Sequence, residues 1–283
     1  MKHNSRLYVA LVCIVIGFGL LLYPSLANWI NEQHSSKVIS SYSDSLSNLS
    51  KDDFSCWWQE ALKHNELLSA QGFLAAGVDF EERDNMESYN RLLNVCNDGV
   101  MGVVRIPKIN VDLPIYHSCS DSVLQRAIGH YTGSSLPVGG KGSHCILSGH
   151  RGLPSAELFT NLDQVKKGDL FFLDVLDQTL AYKVDKIETI DPNSNEDSHL
   201  LNVVENKDLV TLLTCTPYGV NTHRLLVRAH RVKYVKKDEI QEEKRGSHWK
   251  NWMRTRQFLI LLVAVLAALV VAVRLGNYLA TRH

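Results

Sequence analysis

Nucleophilic catalysis needs an activated nucleophile, a proton carrier and a group that stabilises developing negative charge. One stretch of this 283-residue chain, Leu209–Val232 (LVTLLTCTPYGVNTHRLLVRAHRV), offers two of the three. A run of β-forming residues ends in Cys215, the chain turns through Pro217, Tyr218 and Gly219, and a second β-type run begins near Arg224. A strand end holds the backbone rigidly while the side chain reaches a surface cleft. An antiparallel pair joined by the eight residues between Cys215 and Arg224 would bring thiol and guanidinium to one rim. Among the twelve histidines, His150 stands out as proton carrier. It sits in Leu147-Ser148-Gly149-His150-Arg151-Gly152, a strand end whose glycines allow a tight turn and close approach of a substrate backbone.

Taken singly, each of these residues has an ordinary structural reading. A lone cysteine at a strand end is more often a small core hydrophobe. A lone histidine is usually structural, the reading for His117, His130, His144 and His223, and an arginine on a strand is usually solvated or salt-bridged. Chain order adds little. His150 precedes Cys215 by 65 residues, the reverse of the papain order, and there is no caspase-type Gln-Ala-Cys box.

The elements that must position these residues are mainly β. From Gly99 to about Val235 the strand candidates are Met101–Ile106, Val111–Tyr116, Cys145–Ser148, Asp169–Leu176, Thr179–Ile187, Leu209–Thr214 and Arg224–Val232. Alternation is read in Tyr182, Val184 and Ile187 and in Leu225, Val227 and Ala229. Many short strands separated by Gly, Pro and Asn turns predict a closed or nearly closed barrel, with short helices at Ser122–Ile128 and Ser155–Leu162. Residues 28–98 read as a helical extension. Leu46, Leu49, Phe54, Trp57, Trp58, Leu62, Leu67 and Leu68 recur at helical spacing, a stripe too narrow to form its own core. Residues 236–256 (containing KKDEIQEEKR) read as a charged linker.

Composition narrows the function. With 30 basic and 30 acidic residues the net charge is zero, which removes any electrostatic case for nucleic acid as a partner. Two apolar runs lie near the ends. Leu7–Tyr23, about 17 residues after Lys2 and Arg6, is either a membrane anchor or, with Ser25-Leu26-Ala27 as a small-residue cleavage site, a signal segment within residues 1–27. Phe258–Val273 predicts a transmembrane helix over 257–275, because no polar face interrupts it. The expected location is the cell membrane, with the middle of the chain outside. There Cys56, Cys96, Cys119 and Cys145 could form disulfides in any of three pairings. No CxxC pair or His/Cys cluster has zinc-site spacing, so neither metal nor cofactor is expected.

Thr211-Leu212-Leu213-Thr214-Cys215 resembles the TLxTC box of sortases. Arg224 falls where that family has its essential arginine, and Ser148-Gly149-His150 where it has its histidine. Gly99–His117, Gly129–Gly140, Gly149–Phe159 and Thr214–Arg228 resemble class C, the pilin-polymerising sortases, as do the helical extension and the second apolar span. The likeness covers roughly residues 60–235. It implies a sortase-type closed β-barrel catalytic domain over 99–235. It also implies a membrane-anchored cysteine transpeptidase acting on pilin or surface proteins that bear C-terminal sorting signals.

On that resemblance Cys215 attacks the Thr–Gly carbonyl of a Leu-Pro-X-Thr-Gly-type signal and forms a thioester. His150 protonates the departing amine and later deprotonates the incoming one, in class C a lysine of the next pilin. Arg224 positions the signal and stabilises the oxyanion, and Thr214 shapes the pocket. Class C enzymes also carry an Asp-Pro-aromatic lid. The nearest match is Asp79-Phe80, which lacks the proline and so constrains its turn less. Asp79 is read either as a lid residue approaching Arg224, with Phe80 near Cys215, or as a cap of the helix that follows. Two other functions stand beside the leading one. They are a housekeeping-type sortase that anchors proteins to the cell-wall peptide, and a non-catalytic surface scaffold, which the intact His150, Cys215 and Arg224 disfavour.

Overall fold

A strand with apolar residues at every second position has one face to bury, and a sheet closed on itself buries that face while leaving no edge. In a computed structural model of the chain, which describes residues 2–71, 87–192 and 198–247 with Val270 and Arg274, eight strands close in this way. They are β1 (Val100–Ile106), β2 (Val111–His117), β3 (Ile128–His130), β4 (Ser143–Ser148), β5 (Leu170–Val175), β6 (Gln178–Ile190), β7 (Asp208–Thr216) and β8 (His223–Val232). Around the barrel the order is β1-β2-β3-β4-β7-β8-β6-β5. The β2/β3 and β4/β7 pairs are parallel, and the other pairs with a recorded register are antiparallel.

Alternation sorts the side chains of the wall. Val210 and Leu212 of β7 and Leu225, Val227 and Ala229 of β8 join the core around Phe171 and Tyr182. Leu213 of β7 and Ile146 of β4 pack instead with Cys119 and Tyr131 in a separate cluster, outside the wall. The strand faces are therefore both partly buried, one by the core and one by the segment between β2 and β4.

Helices cover the barrel as the narrow apolar stripe requires. The first, α1, spans Lys2–Ser47, and α2 spans Lys51–Gln71. A reciprocal cap starts α2: the Asp53 N–H donates to Ser50 Oγ, and Ser50 N–H donates to Asp53 Oδ2 at 2.9 Å. Tyr42 of α1 is buried between β1 and β5, donating to the Met101 carbonyl and accepting from the Leu176 N–H at 3.0 Å. Asn65 of α2 reads the backbone of the β3–β4 connection, accepting from Leu136 N–H at 2.7 Å and donating to the carbonyls of Leu136 and Gly139. Two short helices follow, α3 (Glu87–Arg91) and α4 (Asp121–Leu124). Residues 236–247, the described part of the charged segment after β8, are helical (α5). They are tied to the barrel by Glu239, which pairs with Arg105 and accepts from Tyr234.

The structure departs from the sequence expectations at three places. Ser155–Leu162 is not a helix: Leu158 has φ +40°, the Phe159 N–H bonds back to the His150 carbonyl, and only Leu162–Gln164 make a 3-10 turn. Tertiary bonds to the His150 segment override local propensity there. The helix expected over Ser122–Ile128 stops at Leu124, and Ile128 opens β3 instead, paired with Ile115. The cysteines are all free. Cys145 belongs to the inner core and Cys119 to the outer cluster, so the barrel wall separates them. Among the described residues no helix is long and apolar enough to cross a membrane. The second apolar run lies outside the described residues apart from Val270, and so do Asp79 and Phe80.

Two histidines that the sequence marks as structural are fixed as neutral rings. His130, fully buried, accepts at Nδ1 from the Tyr89 hydroxyl at 2.7 Å and donates from Nε2 to the Ser135 carbonyl at 2.9 Å. His144 donates from Nδ1 to the Asn202 carbonyl at 2.8 Å and accepts at Nε2 from Thr211 Oγ1 at 2.7 Å. Burial pushes His130 down to about 3 and His144 to about 4. An unfolded histidine titrates near ~6.5, so unfolding takes up protons in the interval down to the folded values. The stability these rings contribute is complete above the unfolded value and is lost as pH falls toward the folded ones. Urea unfolding is thus expected to show stability falling between pH 6.5 and 4.5, by about 1.4 kcal/mol per pH unit for each ring. His144→Gln should remove one proton from that slope, and an unaltered slope would assign it to other groups.

Candidate active site

Register, not proximity in sequence, assembles the site. Across the β7/β8 ladder Cys215 is the direct partner of Arg224. Across the β4/β7 ladder Ser148 pairs with Leu213, and the Gly149 N–H donates to the Leu213 carbonyl at 3.0 Å. Two residues further along both chains, His150 comes level with Cys215. Cross-strand partners point to the same face. Since Val210, Leu212, Leu225 and Val227 point inward, Cys215 and Arg224 point outward. The residues predicted as nucleophile, proton carrier and cation thus meet on the outside of the barrel. They line one cavity of about 320 Å³.

The segment after β2 closes the cavity, with Cys119, Ser120, Asp121 and Leu124 lining it opposite the strand ends. Thr214, predicted to shape the pocket, lines it as well, and its hydroxyl donates to the Gly149 carbonyl at 2.7 Å. With the Gly149 N–H already bonded to Leu213, the residue before His150 is held at both backbone groups. A side chain at Gly149 is excluded. A Cβ there would lie 2.6 Å from Ile128 Cδ1 and 2.8 Å from Phe159 Cδ2. This is the close packing that a glycine permits.

The electrostatics are those of a base that starts neutral. Burial lowers the pKa of half-buried His150; the Asp121 carboxylate opposes this and the Arg224 guanidinium adds to it. A neutral imidazole can take a proton from a thiol or an amine and give it to a departing nitrogen. Arg224 is half-buried and folded back on its own loop, donating from Nη1 to the carbonyls of Asn221 and His223 at 3.2 Å each. Such bonds to neutral carbonyls are readily exchanged for bonds to an oxyanion, because charge-assisted bonds are the stronger. His223 is exposed and bonds only locally, to Thr222 Oγ1 at 2.9 Å. Among the described residues no group of three or more His, Cys, Asp and Glu could hold a metal.

Arg151 is a positioning residue that the sequence did not single out. Its side chain is 8% exposed, paired with Asp163, and its Nη1 donates to Thr216 Oγ1 at 3.2 Å. The guanidinium also lies 6.0 Å from the centre of the Tyr218 ring. One side chain, next in sequence to His150, therefore grips the residue after Cys215 and the turn beyond it. Gly152, at φ +78°, lets Tyr218 approach; a Cβ there would sit 3.2 Å from the ring. The only sequence signal was the arginine's place between two glycines, which does not show what it binds.

Residues 104–232 match the family model described as the sortase domain. A crystal structure of sortase C1 from Streptococcus agalactiae is 44% identical, with a TM-score of 0.64, and the match covers 70% of this chain and 100% of that one. A sortase C structure from Streptococcus pneumoniae is 39% identical, covering 70% and 97%, at a TM-score of 0.60. Sortase D of Bacillus subtilis (strain 168) is 29% identical over 118 residues, 42% of this chain. The matched region spans 55% of that curated relative, little more than half its length.

If Arg151 sets the spacing between His150 and Cys215, Arg151→Gln should lower turnover at Cys215. The expected loss is about 10- to 100-fold, the scale of a 1 Å misplacement of reacting groups. It should fall on kcat, with KM little changed, since Arg151 is not among the residues lining the cavity. An equal loss in KM would assign Arg151 to peptide binding instead.

Proposed function

Because the chain belongs to the sortase family of cysteine transpeptidases, with class C enzymes as its solved neighbours, we propose that it joins pilin subunits by transpeptidation at Cys215. The observation that carries this reading is the level placement of His150, Cys215 and Arg224 on three adjacent chain segments around one cavity.

The chemistry follows from the proton inventory. The Cys215 proton passes to neutral His150, and the thiolate attacks the Thr–Gly carbonyl of a sorting signal. Arg224 leaves its loop carbonyls for the oxyanion. The imidazolium then protonates the glycine amine, which departs and leaves a thioester on Cys215. An incoming amine attacks the thioester, its excess proton passes to the imidazole, and the thiolate is released. Partition of the thioester between amine and water depends on how the acceptor is held.

Three proposals complete the reading. The substrates are pilins carrying C-terminal sorting signals, in line with the pilin substrate specificity of the similar S. pneumoniae sortase C. The catalytic domain works outside the cell membrane, tethered by the apolar run Phe258–Val273, with Leu7–Tyr23 serving as export signal or second anchor. Asp79 and Phe80 serve as lid residues, a reading supported only by their resemblance to the Asp-Pro-aromatic motif. Anchoring to the cell-wall peptide would use the same barrel and the same three residues, and differs only in the amine that resolves the thioester.

In a host that makes its own pilins, Cys215→Ala should abolish high-molecular-weight pilin ladders and let monomers accumulate. Ladders that persist would overturn the reading. Arg224→Ala should leave Cys215 in place but slow acylation by about 10²- to 10³-fold, the usual cost of an oxyanion donor, as measured by single-turnover thioester formation.

A further inference from the structure

Two lining residues of the catalytic cavity have acidic or basic side chains of the charged type, and they are opposite in sign: Arg224 and Asp121. Arg224 already has a task in the reaction. Asp121 opens α4 directly after Ser120 and is exposed; its backbone carbonyl accepts from the Gln125 N–H, while its carboxylate has no hydrogen-bond or ion-pair partner among the described residues. Its place is set by the fold: the chain leaves β2 at His117, crosses the cavity rim through Cys119 and Ser120, and returns as β3. Its carboxylate and the Arg224 guanidinium act in opposite directions on the same imidazole, His150.

We propose that Asp121 forms the acceptor subsite, holding the primary ammonium of the attacking lysine against its carboxylate beside His150. The proposal rests on the transpeptidase reading above and names which wall of that site receives the second substrate. At neutral pH a lysine side chain is an ammonium. It is repelled by Arg224 and attracted to Asp121, so charge alone directs it to one side of the thioester. The ammonium has two protons to lose before an amide is made. The first passes to water from the docked ammonium, and the freed nitrogen attacks the thioester carbonyl. The second passes from the tetrahedral intermediate to His150 as the C–N bond becomes an amide and the C–S bond breaks. The imidazolium proton then returns to the Cys215 thiolate. The net products are an isopeptide, the free thiol and one proton in solution.

The test compares two nucleophiles on one acyl-enzyme. Full-length protein is acylated with a Leu-Pro-X-Thr-Gly peptide and offered a lysine peptide or hydroxylamine, which is uncharged at neutral pH. Any effect of a substitution on acylation or on folding is common to both and cancels in the ratio of the two products. In Asp121→Asn that ratio should fall about 1.5- to 5-fold against lysine, the range of an exposed ion pair. Asp121→Glu should restore it. Added salt should lower the ratio in the wild type and leave it flat in Asp121→Asn, because an exposed pair is screened. A ratio unchanged by Asp121→Asn, or salt dependence that survives it, overturns the subsite. Wild-type protein that forms no thioester on Cys215 would instead overturn the transpeptidase reading from which the subsite follows.

Discussion

Strand β7 is hydrogen-bonded on both sides, parallel to β4 and antiparallel to β8, and this double pairing is what makes a site of three scattered residues. One ladder sets Cys215 opposite Arg224, and the other brings His150 level with both. Side chains alternate with a period of two, so a slip of one residue in β7 would turn Cys215 into the barrel and Leu212 out of it. The register is protected by the core it serves. Val210 and Leu212 are fully buried inside, while Leu213 is buried outside under the crossover. A slip would exchange apolar contacts on both faces at once.

The same strand shows how polar groups reinforce that register. Thr211 faces outward and bonds to His144 of β4, and Thr214 bonds to the carbonyl of Gly149. Each is a cross-strand bond in a buried setting, where leaving one partner unpaired costs about 1–3 kcal/mol. The threonines of the TLLTC stretch thus tie β7 to β4 at two heights, one of them directly beneath His150. His144 can do this only as a neutral ring, since burial disfavours its charged form. His150 is also biased toward neutrality by burial, but the field of Asp121 works against that bias. Each ring feels a carboxylate, Asp185 for His144 and Asp121 for His150, so what separates the structural from the reacting imidazole in this wall is that only His150 of the two lines the cavity.

How much of this was legible in the sequence depends on the range of the interactions involved. The seven strand candidates appear as strands, because alternation and turn residues are local signals; boundaries moved by one to three residues. The ninefold spacing of Cys215 and Arg224 sufficed to place them across a hairpin, which the ladder bears out. His150 could be put on a strand end, but no local signal could reveal that β4 lies beside β7, a parallel pairing across some sixty residues of chain. β3 was missed for the same reason, since three residues paired in parallel to β2 leave no periodic trace. The Ser155–Leu162 segment misled because it bonds to His150 and Gly152 and keeps only single-turn bonds of its own, Thr160 to Glu157 and Leu162 to Phe159, in place of a helical ladder. The disulfides suggested by four external cysteines fail on topology, with Cys119 and Cys145 on opposite faces of one wall.

Two arginines close to the site show why residue type alone assigns no role. Arg151 is held on several sides at once, by Asp163, Thr216 and the face of Tyr218, and its Nε is buried without a partner. A guanidinium so constrained cannot move to a developing charge; its value is that it fixes the chain on either side of it. Arg224 has two bonds to carbonyls of its own turn and no ion pair shown among the described residues. It is held loosely enough to be drawn to an oxyanion, and close enough in register that the movement is short. The sequence presents both as arginines near glycines and β-type residues. What separates scaffold from reagent is the number and charge of the groups each already binds, and that is decided by the barrel closing around β7.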